Sequence, residues 1–361
     1  MQRLSINCDT LQRLIVKSSP GNRLEGTALV RSLWLSQAAQ VRDGNSKLVD
    51  QVRAAALRIS GVVTRTPLQR SGYLSDVTGA DVYLKLENRQ RTGSFKFRGA
   101  SNRLLTLSAE QRAQGCVAAS SGNHGAAVAC AMQQLGIGGV IFVPEQTSSA
   151  KVAAIRSYGG DVRFHGSDGL DTEQHARAFA EQNGMLYLSP YNDEQVIAGQ
   201  GSCGVEIVEQ LPDVDAAFVA VGGGGLISGV ASVLRAHNPA VRIYGCQPEA
   251  SPVMAKSVRA GRILDLPSAA TLSDGTAGGI ETNAITFAMC QQLVDDFVLV
   301  GEPQIAAAMR EYMAACDEPI EGAAGVALAA LAARSDEVRG SKVVAIICGG
   351  NVSQDVIDKV R

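Results

Sequence analysis

From residue 51 onward the chain alternates short apolar, β-branched runs with stretches of helical period. Val82-Tyr83-Leu84-Lys85-Leu86 predicts a strand and Phe97 to Leu107 a helix. Cys116-Val117-Ala118-Ala119, a helix over about 123–135 and Val140-Ile141-Phe142-Val143 follow. A helix near 149–158, a strand at Val162-Arg163-Phe164 and a helix over about 171–183 continue the pattern. Later strands are Ala217 to Val221, Arg242 to Gly245 and Val343 to Ile347. Continuous apolar strands separated by helices predict an α/β fold whose parallel-rich sheets are covered on both faces. Ligands on such sheets bind beyond the carboxyl ends of the strands, so the strand-to-helix loops are where chemistry is expected. No internal repeat or low-complexity tract interrupts the pattern.

Four of those loops carry unusual residues. The first, Thr92-Gly93-Ser94-Phe95-Lys96-Phe97-Arg98-Gly99, sets one lysine between two phenylalanines at the entry to a helix. Most lysines are solvated, and an ordinary amphipathic lysine explains this one taken alone. Flanking rings that turn inward would carry Lys96 with them, and a desolvated amine loses its proton more readily and attacks carbonyls. The second loop, Ser120-Ser121-Gly122-Asn123-His124-Gly125, lies between a strand and its helix. A serine there is an ordinary N-cap. Two serines, an asparagine and a histidine exceed what capping needs, and the donors at that helix start suit a carboxylate.

The third loop is Gly222-Gly223-Gly224-Gly225, directly after a strand and before a helix near Leu226. A flexible linker has this composition, but linkers rarely join a core strand to an apolar helix. Backbone N–H groups without side chains close around an anion, and phosphate is the natural guest. The spacing matches neither the nucleoside-triphosphate loop nor the dinucleotide fingerprint. The fourth loop is Cys348-Gly349-Gly350-Asn351. Its cysteine is either a small buried apolar residue or a thiol facing a ring nitrogen. A Schiff-base lysine, a phosphate cradle and a carboxylate-binding loop together specify pyridoxal 5'-phosphate acting on an amino acid.

Composition narrows the alternatives. The chain has 361 residues, 46% of them hydrophobic, enough for two domains. A net charge of −2 gives no footprint for nucleic acid and no polybasic membrane patch. The longest apolar run, Ala323 to Ala333, is well short of the roughly 20 residues that span a bilayer. Cys8, Cys116, Cys130, Cys203, Cys246, Cys290, Cys316 and Cys348 form no C-x-x-C pair. That argues against a disulfide framework or structural zinc and for a reducing, cytoplasmic setting. His124, His165, His175 and His237 are equally scattered. Residues 1–50 lack an h-region with a cleavage site, so a secretory signal is not expected; an organelle address and an extra arm both remain open.

These four loops, with Val196-Ile197-Ala198-Gly199-Gln200-Gly201 and Glu321 beside Ala324-Gly325-Val326, resemble the fold-type II pyridoxal-phosphate enzymes. The likeness is to the threonine/serine dehydratase and serine racemase branch, over about residues 51–361. The resemblance implies a two-domain, tryptophan synthase β-like architecture with a small domain inserted in the large one. Residues 1–50 are then an N-terminal extension, 51–114 and 193–361 the large cofactor domain, and 115–192 a small domain that closes over substrate. It also implies that Lys96 forms the Schiff base with the cofactor, Phe95 lies against the ring and Asn123 bonds the ring hydroxyl. Gly222, Gly223, Gly224 and Gly225 hold the phosphate, Cys348 sits at the pyridine nitrogen, and Glu321 lines the cofactor site. Ser120, Ser121, Gly122, Asn123 and His124 grip the substrate carboxylate. A homodimer or tetramer is expected.

The expected reaction is α,β-elimination from an L-3-hydroxy amino acid, with Lys96 as base at Cα and a 2-oxo acid and ammonia as products. A cysteine at the ring nitrogen weakly favours its protonation, which suits prompt loss of a β-leaving group over transamination. Ser121 is the second candidate catalytic residue, because a proton exchanged on the face opposite Lys96 gives racemisation. A serine racemase-like activity, a β-replacement synthase and a catalytically silent ligand sensor are the competing readings. Retention of Lys96 argues against the sensor. Two departures from the branch matter. Gln247-Pro248-Glu249, then Ser251 and Val253, lack the carboxylates with which some members bind a divalent cation, so no tightly held metal is expected. Gly322-Ala323 stands where proline is frequent, which predicts extra room for a bulkier side chain such as that of phenylserine.

Overall fold

The computed structural model describes residues 46–361; the expected extension over 1–50 therefore lies, but for 46–50, outside the described residues. Ten strands among them form two sheets. The larger contains β1 (Leu68–Arg70), β2 (Asp81–Leu86), β7 (Ala216–Ala220), β8 (Arg242–Pro248), β9 (Asp296–Val300) and β10 (Lys342–Ile347) in the order β1-β2-β10-β7-β8-β9. Only the β1–β2 pair is antiparallel. The smaller contains β3 (Cys116–Ala119), β4 (Gly139–Val143), β5 (Asp161–Phe164) and β6 (Leu186–Tyr187) in the order β5-β4-β3-β6, all parallel.

Each strand and helix anticipated from the hydrophobic pattern is present, with ends shifted by a few residues. Strands β1, β6 and β9 were not anticipated. All three are edge strands, and β1 and β6 are too short to show a period, so their partners rather than their own residues define them.

Both sheets bury apolar side chains on each face, as parallel sheets with helical crossovers require. Val82, Leu84, Val219, Ile243 and Ile346 belong to the core of the larger sheet, and Ala118, Ile141, Val143 and Val128 to that of the smaller. The helix Gly322–Ala333 is apolar on every side, and the reason is its position: it packs across β7, β8 and β10 beneath the helix Glu302–Cys316. No helix of the described residues is long and apolar enough to cross a membrane.

A group of buried charges fixes the helix that Lys96 opens. Arg98, Glu87 and Lys85 are fully buried. The Arg98 guanidinium forks onto Glu87, with Nε to Oε2 at 2.7 Å and Nη2 to Oε1 at 2.8 Å. It also reaches Glu206, with Nη1 to Oε1 at 2.7 Å and Nη2 to Oε2 at 2.9 Å. Lys85 donates to Glu206 Oε2 at 2.6 Å, to the Thr66 carbonyl and to Gln210. Two cations face two carboxylates, so the cluster is neutral and nearly every donor is spent. Burial alone would raise the Glu87 carboxyl; the Arg98 guanidinium outweighs it and holds that group below the usual carboxylate range. The cluster ties β2, the turn after it, the helix Lys96–Leu105 and the helix Glu194–Gln210 to one another.

Arg98→Leu strands the fully buried Glu87 carboxylate, while Glu206 keeps Lys85, and should lower stability by about 3–5 kcal/mol. Arg70→Ala, which breaks the exposed pair with Asp81, should leave the urea midpoint nearly unmoved. Equal midpoint shifts for the two variants would contradict this account.

Candidate active site

Strands β2, β10 and β7 are adjacent and parallel, so the loops leaving their carboxyl ends share one edge of the sheet. Strand order also reverses there, since β8 continues to one side of β7 while β10 lies on the other, which is where α/β sheets bind ligands. The loop after β2 leads to Lys96, and the loop after β10 holds Cys348. These two are zipped together. Phe95 N–H donates to the Cys348 carbonyl at 3.1 Å, Gly350 N–H to Gly93 at 2.9 Å, and Ser94 bridges Gly349.

The loop after β7 supplies Gly222 to Gly224, with Gly225 opening the helix Gly225–His237. Gly224 has φ +85°, a left-handed conformation that glycine adopts without strain. At Gly223 a Cβ would stand 2.3 Å from the Tyr191 ring, so the loop passes where no side chain fits. Thr286 donates to the Gly223 carbonyl at 2.6 Å and fixes the loop from below. Among the described residues, none accepts a hydrogen bond from the N–H of Gly222, Gly223 or Gly224. Three free donors at a helix N-terminus fit a phosphate group.

The loop after β3 reaches the same place from the smaller sheet. Asn123 opens the helix Asn123–Leu135, and its Nδ2 donates to Glu321 Oε2 at 2.7 Å. The Cys348 thiol donates to the other oxygen of Glu321 at 3.5 Å. Lys96 Nζ donates to the Pro190 carbonyl at 3.0 Å and lies 5.2 Å from the centre of the Phe95 ring. Phe97 is fully buried while Lys96 and Phe95 are half-buried. The structure thus gathers Phe95, Lys96, Asn123, Glu321 and Cys348 around one carboxyl group. The glycine loop adjoins it through Gly275, whose carbonyl faces Gly222 and whose own Cβ would be 4.0 Å from Glu321 Oε1. Ser120 and Gly122 form the turn before Asn123, with Ser120 Oγ accepting from Gly122 N–H at 3.2 Å. Ser121, half-buried, lies between them.

The electrostatics favour neutral groups. Burial pushes the Lys96 amine down to about 8 against the opposing pull of Glu321. Burial raises the Glu321 carboxyl to about 7, because only Asn123 and a thiol bond to it. The Cys348 thiol is driven well above its ordinary range by burial and the facing carboxylate. Burial and the nearby lysine bring His124 down to about 3. His124 Nε2 faces the Leu188 carbonyl at 2.8 Å, which can only accept. The neutral ring must therefore donate there, leaving Nδ1 an acceptor with no partner. An acceptor does not bind a carboxylate, so donors for such a group must come from Ser120, Ser121 and the adjacent N–H groups.

One expectation fails. The room predicted beside Gly322 is filled by the chain itself: a Cβ there would lie 2.0 Å from the Leu272 carbonyl oxygen. Glycine at 322 admits a backbone carbonyl. The Gln247 side chain is also spent within the protein, its Nε2 donating to the Val221 carbonyl at 3.0 Å and its Oε1 accepting from Ala255 N–H at 2.7 Å. No group of three or more His, Cys, Asp or Glu among the described residues is placed to hold a metal ion.

Sequence reasoning missed Pro190, Tyr191 and Thr286 as parts of this site, and it placed Asn351 in the fourth loop without giving it a role. Pro190 and Tyr191 follow β6, so the rule that loops at strand carboxyl ends carry function pointed to them. Thr286 lies in the first turn of the helix Ile285–Leu293 and had no such signal.

A lysine with a lowered pKa, Asn123 and Cys348 meeting at one buried carboxyl, and a glycine loop with free N–H donors fit pyridoxal phosphate. The profile of the family described as pyridoxal-phosphate dependent enzymes matches residues 59–349, and the chain belongs to that family. Its fold is that of the fold-type II members. Among curated relatives, the L-threonine ammonia-lyase of Thermotoga maritima is 41% identical over 312 residues, covering 86% of this chain and 77% of that protein. The catabolic L-threonine dehydratase TdcB of Escherichia coli is 38% identical, covering 86% of this chain and 95% of that one. Among solved structures, threonine deaminase isoform 2 from Solanum lycopersicum superposes with a TM-score of 0.83 at 35% identity, covering 88% of this chain and 92% of that one. Maize serine racemase gives 0.81 at 34% identity, covering 86% and 95%.

The raised carboxyl pKa has a signed consequence. The folded protein holds a proton on Glu321 up to about 7, against an ordinary value of 4.5. Between those values the folded state binds more protons than the unfolded one, so this residue's contribution falls as pH rises and its full cost is present above 7. Glu321→Gln keeps the Asn123 bond and removes the charge. The variant should therefore match the wild-type Tm near pH 4.5 and exceed it at pH 8, by about 1–3 kcal/mol in stability. A pH-independent difference would contradict the assignment.

Proposed function

We propose that this protein is a pyridoxal-phosphate-dependent ammonia-lyase that eliminates water from L-threonine or L-serine, after which a water molecule hydrolyses the dehydrated product to a 2-oxo acid and ammonia. The observation that carries this is the Lys96 amine, pushed down to about 8 by burial and bonded to the Pro190 carbonyl, next to the Tyr191 that packs on the glycine loop. The named activities of the threonine ammonia-lyase and dehydratase relatives support the same substrate class.

When bound, the cofactor supplies an electron sink for charge that develops at Cα. The residues supply the rest. Gly222 to Gly225 and the helix behind them bind phosphate. Ser120, Ser121 and the N–H groups before the helix at Asn123 bind the substrate carboxylate. Lys96, as a neutral amine, takes the Cα proton, and its lowered pKa makes that form accessible near neutrality. Cys348, a neutral thiol, offers no counter-charge for a protonated ring nitrogen, which favours loss of the β-hydroxyl over transamination. The Leu272 carbonyl against Gly322 favours the small substrates over phenylserine.

Residues 115–192, which carry the smaller sheet, are in this reading the small domain that closes over substrate, with 51–114 and 193–361 the large one. Arg177 on the smaller sheet's helix Gly169–Gln182 pairs with Glu281 at 3.0 Å, a contact suited to hold the closed state. Buried free thiols such as Cys116, Cys203 and Cys246 support a reducing, cytoplasmic setting, and a homodimer or tetramer is the assembly we assign.

Ammonia and 2-oxo-acid release should be seen with L-threonine and L-serine, and kcat/KM for phenylserine should be lower than for either. Lys96→Ala should lower kcat by at least about 10²–10⁴-fold. Loss of optical rotation from L-serine without oxo acid would instead give Ser121 a racemase role and overturn the proposal.

A further inference from the structure

Asn351 ends the loop after β10 and lies exposed at the rim of the site. Its Nδ2 is 2.8 Å from the Thr92 carbonyl and 2.7 Å from Asn123 Oδ1. A backbone carbonyl only accepts, so the nitrogen end of Asn351 must face Thr92. Both hydrogens on that nitrogen are then used, one on Thr92 and one on Asn123. Asn123 must in turn present its oxygen to Asn351 and its nitrogen to the pocket, where it meets Glu321 Oε2 at 2.7 Å. The orientation of an amide whose two ends are nearly equal in shape is thereby set from a main-chain atom. The seat for Asn351 is also built: Gly93 has φ +72°, and a Cβ there would lie 2.4 Å from Asn351 Oδ1.

We propose that Asn351 is a positioning residue that locks the Asn123 amide with its donor end toward the coenzyme ring. The proposal rests on the pyridoxal-phosphate reading above. Without the lock, the Asn123 amide is held from the pocket side alone, by Glu321, and its oxygen end loses the donor that fixes it outward. Asn351→Asp keeps the size and reverses the logic. Its carboxylate cannot donate to Thr92 or to Asn123 Oδ1, so Asn123 must turn its nitrogen outward and its oxygen inward.

The test is a double-mutant cycle on holoenzyme, read as the dissociation constant for pyridoxal phosphate and as the pH midpoint of the bound coenzyme's visible absorbance. Asn351→Asp alone should weaken coenzyme binding about tenfold and raise the midpoint, since a donor favours an ionised ring oxygen. In the Asn123→Ala background the same substitution should add nothing to either quantity. Asn351→Ser, too short to reach both partners, carries the same cycle if the Asp variant fails to fold. Additive effects, or an unmoved absorbance midpoint in both single variants, would overturn the proposal while leaving the cofactor assignment intact. A wild-type protein that binds no pyridoxal phosphate would overturn both.

Discussion

Strands β2 and β10 run parallel and in register from Asp81 opposite Lys342 to Leu86 opposite Ile347. That pairing decides where the reactive lysine can be. The two strands end together, so the loops that leave them emerge together and bond through Phe95, Cys348, Gly93 and Gly350. The lysine loop is therefore as rigid as the sheet beneath it. Strand β7, paired to the other side of β10, brings the glycine loop to the same edge. A lysine, a thiol and a phosphate cradle from residues far apart in sequence meet because three parallel strands stop at one level.

What the site does chemically follows from how little charge it tolerates. Arg98 and Lys85 are fully compensated by Glu87 and Glu206 on the far side of the lysine helix, so none of that charge is left over for the pocket. Lys96 and Glu321 face each other without such partners, and burial moves one down to about 8 and the other up to about 7. Two groups whose proton affinities lie so close exchange states near neutrality. A nucleophilic amine needs that, whereas an ordinary lysine stays charged.

Much of this was legible in the chain. The strand–helix alternation, the glycine run after Val221 and the phenylalanine-flanked Lys96 each have a local physical cause that a window of residues displays. The contacts that complete the site do not. Asn123 meets Glu321 across 198 positions of sequence and Asn351 across 228. Gly322 misled because an absent side chain signals room, and only the fold shows that a carbonyl from Leu272 has taken it. His124 likewise sits in a loop that suits anions, yet its one useful donor is spent on Leu188.

Lys96 carries the whole account, and chemical trapping addresses it directly. Borohydride reduction of the holoenzyme, followed by mass mapping of its peptides, should place a stable coenzyme adduct on the peptide containing Lys96. An adduct on another lysine, such as Lys85 or Lys151, or no adduct in protein that carries bound coenzyme, would contradict it.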